Sequence, residues 1–373
     1  MKPIIAIVGA YGATGREVMS AIASREVDLH AVGRREDALA KLKSEFDRSI
    51  STAQADIDDA PALQRALANA AVVINCVGPM ARVRDKVALA TIEVGAHYVD
   101  PGGTSTLHDL LLPRADEMKA AGLCSVISSG WISGISEILP KYLMNVCEKD
   151  WGALDRLDVV YGDNNVWSET ATLDVINHLR ESDPVENLGH LQHGQVKREN
   201  ILTMWGRPEM PDPIGKRIAL RRLSREFVAS FQNSTVPSIS SSLSLVSIPT
   251  LLLFLRLRKS KSDQNSANIE AVNTARQRDQ NRFGVPSFVF AKAHGMQEGK
   301  SVSRTALALA PDHYKATGCS AAASALSLLG ARAQPKGLFY AGQFANPAIF
   351  LPIYRSMGNN LYVGEDPINS LVF

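Results

Sequence analysis

The chain has little cysteine and few aromatics, four Cys and 6% Phe, Trp and Tyr in 373 residues. Cys76, Cys124, Cys147 and Cys319 stand too far apart for a local metal pair and are too few for a disulfide framework, so a reduced, cytoplasmic setting without a metal site is expected. An excess of one charge is also lacking. The 40 Lys and Arg against 38 Asp and Glu leave a net charge of +2, which excludes a global field for nucleic acid, and none of the usual nucleic-acid motifs is present. No long apolar run exists either. The apolar stretch Leu243 to Leu255 has 13 residues and contains Pro249, well short of the roughly 20 that span a bilayer, so no integral membrane span is expected. That segment reads as a packed helix or a subunit contact, giving a homodimer through the second lobe, with attachment to a membrane surface as the alternative.

What is present alternates. Ile4 to Val8 is a continuous β-branched run of the kind a parallel strand covered on both faces requires, and a helix begins near Thr14. Asp28 to Val32, Ala71 to Val77, Tyr98 to Asp100 and Cys124 to Ser128 read as further strands, with helices over Glu36–Phe46, Ala60–Ala68 and Arg84–Val94 between them. This predicts an α/β chain, a Rossmann-type doubly wound parallel sheet with an inserted second α+β lobe. Past Gly130 the pattern changes: Leu154–Tyr161 and Ser287–Ala291 read as strands, Glu169–Leu179 as a helix, and Lys259–Arg282 as a solvated helix or lid. The small apolar helix Ala316–Leu329 suits close packing on the first lobe. The expected division is therefore 1–130 plus about 311–373 for the dinucleotide, and 131–310 for substrate and oligomerisation.

Gly9-Ala10-Tyr11-Gly12-Ala13-Thr14-Gly15 stands directly after a strand and before a helix, where a turn that cradles a pyrophosphate must stand. Its spacing is G-x-x-G-x-x-G. The second strand ends in Gly33-Arg34-Arg35, two guanidinium groups where an NAD site usually places an acid against the ribose 2′-hydroxyl, which points to NADP(H). Asp56 and Ile57 end the next strand and either flank an adenine or cap the following helix. Gly78-Pro79 ends the fourth strand, at the place of the nicotinamide ribose.

With the Ala96-His97-Tyr98-Val99-Asp100 stretch, Gly102, Gly103 and the later Asp312-His313-Tyr314, these motifs resemble the saccharopine dehydrogenase-like family, saccharopine reductase type, over residues 1 to about 145 and again from about 311. The resemblance implies an NADP(H)-dependent oxidoreductase that reduces a C=N bond of a small molecule. Thr104 follows Gly103 where the family often has an acid, and Gly130-Trp131-Ile132-Ser133-Gly134 replaces the family's Gly-Phe-Asp-Ser-Val-Pro. Both departures bear on the substrate.

Other chemistries have weaker support. None of the eight tyrosines stands four residues before a lysine, as a short-chain reductase requires, and His190 and His193, at helical i, i+3 spacing, have no metal-site partners nearby. Since open α/β sheets bind ligands beyond the carboxyl ends of their strands, Asp100, with Glu169 or His178 of the second lobe, is expected to arrange protonation. Met80, Gly102, Gly103, Trp131, Ser133 and Trp167 are expected around the substrate. An enoyl reductase of a lipid-like substrate and a non-catalytic NADP(H)-binding sensor are the competing readings.

Overall fold

The computed structural model describes residues 2–181, 188–200, 203–244, 247–261, 264–330 and 335–365, which form two compact units. The first is built from Met1–Ile135 and Tyr314–Gly358, the second from Ser136–His313 and, of the described residues, 359–365.

In the first unit strand and helix alternate as β1 (Ile4–Val8), α1 (Ala13–Ile22), β2 (Asp28–Gly33), α2 (Glu36–Ser44), β3 (Ser51–Gln54), α3 (Ala60–Leu67) and β4 (Val72–Asn75). There follow α4 (Met80–Val83), α5 (Lys86–Glu93), β5 (His97–Val99), α6 (Ser105–Leu111), α7 (Ala115–Ala120) and β6 (Cys124–Ile127). The predicted helix Arg84–Val94 is α5, and a separate short helix, α4, precedes it, the two parted where Arg84 takes φ 51°.

The second unit runs through α8 (Ile135–Trp151), β7 (Leu154–Gly162), α9 (Glu169–Glu181), β8 (Gly189–Gln192), β9 (Gln195–Arg198), β10 (Trp205–Gly206), β11 (Ala219–Arg221) and α10 (Arg225–Phe231). It continues with β12 (Ser238–Ser244), α11 (Ile248–Leu257), α12 (Asn265–Phe283), β13 (Ser287–Gln297) and β14 (Lys300–Ala310). The chain then returns to the first unit as α13 (His313–Gly330), β15 (Gly337–Tyr340), α14 (Ala341–Phe344) and α15 (Pro347–Arg355), and ends in β16 (Leu361–Glu365).

The first sheet is wholly parallel, in the order β15-β6-β5-β4-β1-β2-β3. Ile5 to Val8, Val72 to Ile74 and Val126 are fully buried, which is why these strands read as unbroken apolar runs. The returning helix α13 reaches α1 through Gly318: a Cβ there would stand 2.6 Å from the Glu17 Cβ. Ser129 Oγ lies 2.7 Å from Ser324 Oγ of the same helix, so small residues set this close approach.

The second sheet is mixed, ordered β10-β11-β12-β7-β13-β14-β16, with β8 and β9 paired at its side. Three expectations change here. The boundary falls at Ile135 and not at Gly130, because Ile135 N–H still bonds the Gly130 carbonyl at 3.2 Å. β16 pairs with β14 and so belongs to the second unit, although it was expected with the first; residues 366–373 lie outside the described residues. The segment from Leu243 is not one apolar element but the end of buried strand β12 followed by helix α11, with Leu245 and Val246 outside the described residues.

Candidate active site

Because every strand of the first sheet points the same way, the turns after β1 to β6 all emerge at one carboxyl edge. The order reverses between β1 and β4, and the glycine turn leaves β1 beside that point. Gly9 adopts φ +80° and donates its N–H to Val32 O at 2.8 Å; Gly12 N–H closes the turn on Gly9 O at 3.0 Å. A Cβ on Gly15 would stand 2.3 Å from Gly9 O, so Gly15 lets α1 pack onto the turn, whereas one on Gly12 would meet only Gly9 O, at 3.2 Å. Gly12 therefore keeps the outer side of the turn open, the cradle a pyrophosphate needs at the N-terminus of α1, whose first turn carries no acid. Ala13 and Thr14 form that first turn.

At the end of β2, Gly33 lies against the Tyr11 ring, 2.5 Å from where a Cβ would stand. The Arg35 guanidinium sits 5.1 Å from the centroid of that ring, and Arg35 N–H donates to Tyr11 Oη at 3.3 Å. Arg34, 61% exposed, reaches within 3.9 Å of the Asp56 carboxylate. Arg82 of α4 approaches the other oxygen of Asp56 at 3.7 Å and Asp58 at 2.8 Å, and Lys86 of α5 holds Asp58 at 2.5 Å. Hydrogen bonds from Lys86 and then Arg82 hold the Asp58 carboxyl down to about 2. Three cations thus engage these two carboxylates, with Arg35 held beside them on Tyr11, an excess of positive charge of the kind a phosphate needs. Asp56 accepts from Asp58 N–H at 3.1 Å, while Asp59 caps α3 through Ala62 N–H at 2.9 Å, so the capping role falls to Asp59; Ile57 is buried beside them. Sequence reasoning missed Arg82, Lys86 and Asp58, whose only local signal was their place just after Gly78-Pro79 and Asp56.

Asp100 stands at the carboxyl end of β5, 1% exposed. One of its oxygens accepts from Gly102 N–H at 2.7 Å and from Gly103 N–H; the other accepts from Tyr98 Oη at 2.7 Å and Asn75 Nδ2 at 2.9 Å. Burial pushes its carboxyl up, and these four donors oppose the rise without cancelling it. Both oxygens are engaged, and the bonds tie β4, β5 and the Gly102–Gly103 turn together; the sequence does not single out Asn75 and Tyr98 as partners. After β6, Gly130 N–H donates to Ser133 O at 2.9 Å, and Trp131 is 3% exposed with its indole N–H buried and unpaired among the described residues. Met80, at the start of α4, is half-buried, and Gly102 is exposed.

The remaining candidates belong to the second unit. Trp167 Nε1 donates to Asp163 at 2.6 Å, and its ring lies 3.5 Å from the Arg276 guanidinium. Burial would raise the Asp163 carboxyl, but Arg276, His313, Trp167 and Ser287 outweigh it and hold it low. Trp167 thus belongs to a buried charge cluster. His178 Nε2 lies 2.9 Å from Arg222 Nη2, and burial followed by the Arg222 charge brings its imidazole down to about 4. It is neutral near pH 7. Glu169 is exposed in the first turn of α9. His190 and His193 are not on a helix: they lie on β8 and in its hairpin turn, where His193 has φ 49°. No metal-holding group of three exists among the described residues.

The family of saccharopine dehydrogenase NADP binding domains matches residues 5–126. Among solved structures the chain is similar to apo histidine-tagged saccharopine dehydrogenase (L-Glu forming) from Saccharomyces cerevisiae, at TM-score 0.66 and 13% identity, covering 97% of this chain and 99% of that one, a likeness of fold. Serine dehydrogenase from Escherichia coli aligns over 33% of this chain and 80% of its own, at 16% identity and TM-score 0.28. A short-chain type dehydrogenase/reductase from Mycobacterium ulcerans aligns over 34% and 66%, at 17% and 0.28; neither match carries an argument. No curated protein matches the sequence. Residues 5–126 are a saccharopine dehydrogenase NADP binding domain, whose cofactor is NADP(H).

Proposed function

We propose that the chain is an NADP(H)-dependent oxidoreductase that reduces the C=N bond of a small-molecule imine. The turns after β1 to β3 would hold the dinucleotide, with the 2′-phosphate among Arg34, Arg35 and their neighbours and the adenine beside Asp56 and Ile57. Bound there, NADPH supplies hydride. Met80, Gly102, Gly103, Trp131 and Ser133, on the turns after β4 to β6, would surround the acceptor and exclude water.

The observation that carries the choice of a C=N bond is the state of Asp100, whose two oxygens are saturated by four donors. A carbonyl needs a proton delivered as hydride arrives, and Asp100 so engaged is poorly placed to deliver one. A protonated imine brings its own charge and proton and needs chiefly orientation, worth up to about 7–11 kcal/mol. Glu169, His178 and Trp167 are then left to order the second unit, with no part in proton transfer.

The test is NADPH consumption with cyclic imines, and with carbonyl compounds in the presence and absence of amines. Turnover is expected with imines and with carbonyl–amine mixtures. Consumption with carbonyls or enones alone, and none with imines, would refute the reading.

A further inference from the structure

We propose that α11 docks the protein on an anionic lipid surface. The helix starts firmly anchored. Ser247 caps it through Thr250 N–H at 3.3 Å, and the Ser247 and Thr250 hydroxyls both donate to Asp279 of α12, at 2.7 and 2.5 Å. One face is then spent on packing: Leu257 is buried with Ile176 and Val272, and Leu253 and Phe254 lie against the same cluster beside Trp167 and Ile269.

The other face is open. Ile248, Leu252 and Leu255 are 63%, 59% and 50% exposed, and their i, i+4, i+7 spacing sets them in one stripe. The same stripe runs on to Arg256 and Lys259, both exposed, and Lys261 follows, exposed as well. Arg258 is half-buried and donates to Leu179 O at 3.3 Å. From Ile248 to Lys261 there is no Asp or Glu. Large aliphatic side chains in water beside Arg256, Lys259 and Lys261, with Glu270 of α12 an exposed acid near Leu253, match an interface that is apolar inside and negative outside, which is the chemistry of acidic lipid headgroups over acyl chains.

A second copy of the chain fits less well. The three side chains expose on the order of 300 Å², against about 800 Å² per partner in a stable dimer, and a two-fold contact would set like charges against each other. A spanning role is excluded for the described residues, since none of their helices is long and apolar enough. Docking is therefore peripheral, with the aliphatic stripe dipping into the headgroup region and the basic residues holding phosphates.

The inference stands apart from the imine reading, and its test uses neither cofactor nor substrate. The full chain is floated with vesicles of phosphatidylcholine alone and of phosphatidylcholine with phosphatidylserine, at low and high salt. It should rise with the phosphatidylserine vesicles, and high salt should release it, because screening removes the attraction of the basic residues. Each basic side chain near such a surface is worth about a fivefold gain in partition. K259E together with K261E should therefore lower binding at least about tenfold, and I248E together with L252E should abolish it, all with Tm and NADPH affinity unchanged. Absence of flotation with either vesicle, flotation that the variants do not alter, or self-association that the same variants abolish would each overturn the proposal.

Discussion

Replacing Asp100 by Asn keeps the outline of the side chain and separates two roles, a structural knot and a group acting on the reacting atoms. The new amide must face either the Gly102 and Gly103 N–H groups or the Tyr98 hydroxyl and Asn75 amide. The second orientation costs less, because the Tyr98 hydroxyl can rotate to accept. Asn75 cannot turn without giving up the bond its Oδ1 accepts from Val77 N–H at 3.1 Å, so one buried donor is left facing another. That costs about 1–3 kcal/mol, and neutralising the acceptor of the remaining bonds adds about 1 kcal/mol. Relief of the charge burial that pushes the Asp100 carboxyl up offsets part of it, leaving a loss of about 2 kcal/mol. The assay is urea unfolding across pH. Because the folded carboxyl titrates above its ordinary value, the stability of Asp100 is fullest in acid and declines as pH rises through that raised value. The gap between the two proteins should shrink accordingly. An Asn variant within about 0.5 kcal/mol of the parent that nevertheless loses about 10²-fold in turnover would refute the knot and return Asp100 to the chemistry.

Three further outcomes are expected. Gly12→Val should fold normally by circular dichroism but lose NADPH binding, whereas Gly15→Ala should itself be unstable, since its Cβ would meet Gly9 O at 2.3 Å; equal effects of the two on Tm would count against the turn as a cradle. Arg34→Gln and Arg82→Gln should each weaken NADPH about tenfold and NADH less than about threefold by titration, a modest change because both side chains are well exposed; equal losses for both cofactors would show that the cluster does not meet the 2′-phosphate. His178 is depressed to about 4 in the fold from an unfolded value near 6.5, so its neutral form is the stabilised one, and stability is full above about 6.5 and falls toward about 4. His178→Gln, whose carbonyl can still accept from Arg222, should remove about 2–3 kcal/mol of that acid-side loss in urea unfolding; an unchanged pH profile would refute the neutral assignment.

Much of the first unit can be read from local chemistry. A parallel strand buried on both faces has to be an apolar run, and a turn that admits a pyrophosphate has to be glycine, so Ile4–Val8 and Gly9–Gly15 announce themselves within a dozen residues. Arg34 and Arg35 were legible for the same reason, since their place after β2 follows from the strand itself. The second unit was less so. Ser238–Ser244, rich in serine and without an apolar run to mark it, is a central strand whose hydroxyls find partners such as Asp158, 2.8 Å from Ser240 Oγ. His190 and His193 share a spacing that a helix and a hairpin both allow, and pairing with β12 and β9 selected the hairpin. What composition and spacing could not supply were the partnerships across the fold. Asn75, Tyr98 and Asp100 meet because β4 and β5 pair in register, and Arg82 reaches Asp56 because the turns after β3 and β4 leave the same edge of the parallel sheet. Side chains some 25 residues apart carry no mark of one another in the chain, and their charges and hydrogen bonds acquire meaning when packing removes water from between them.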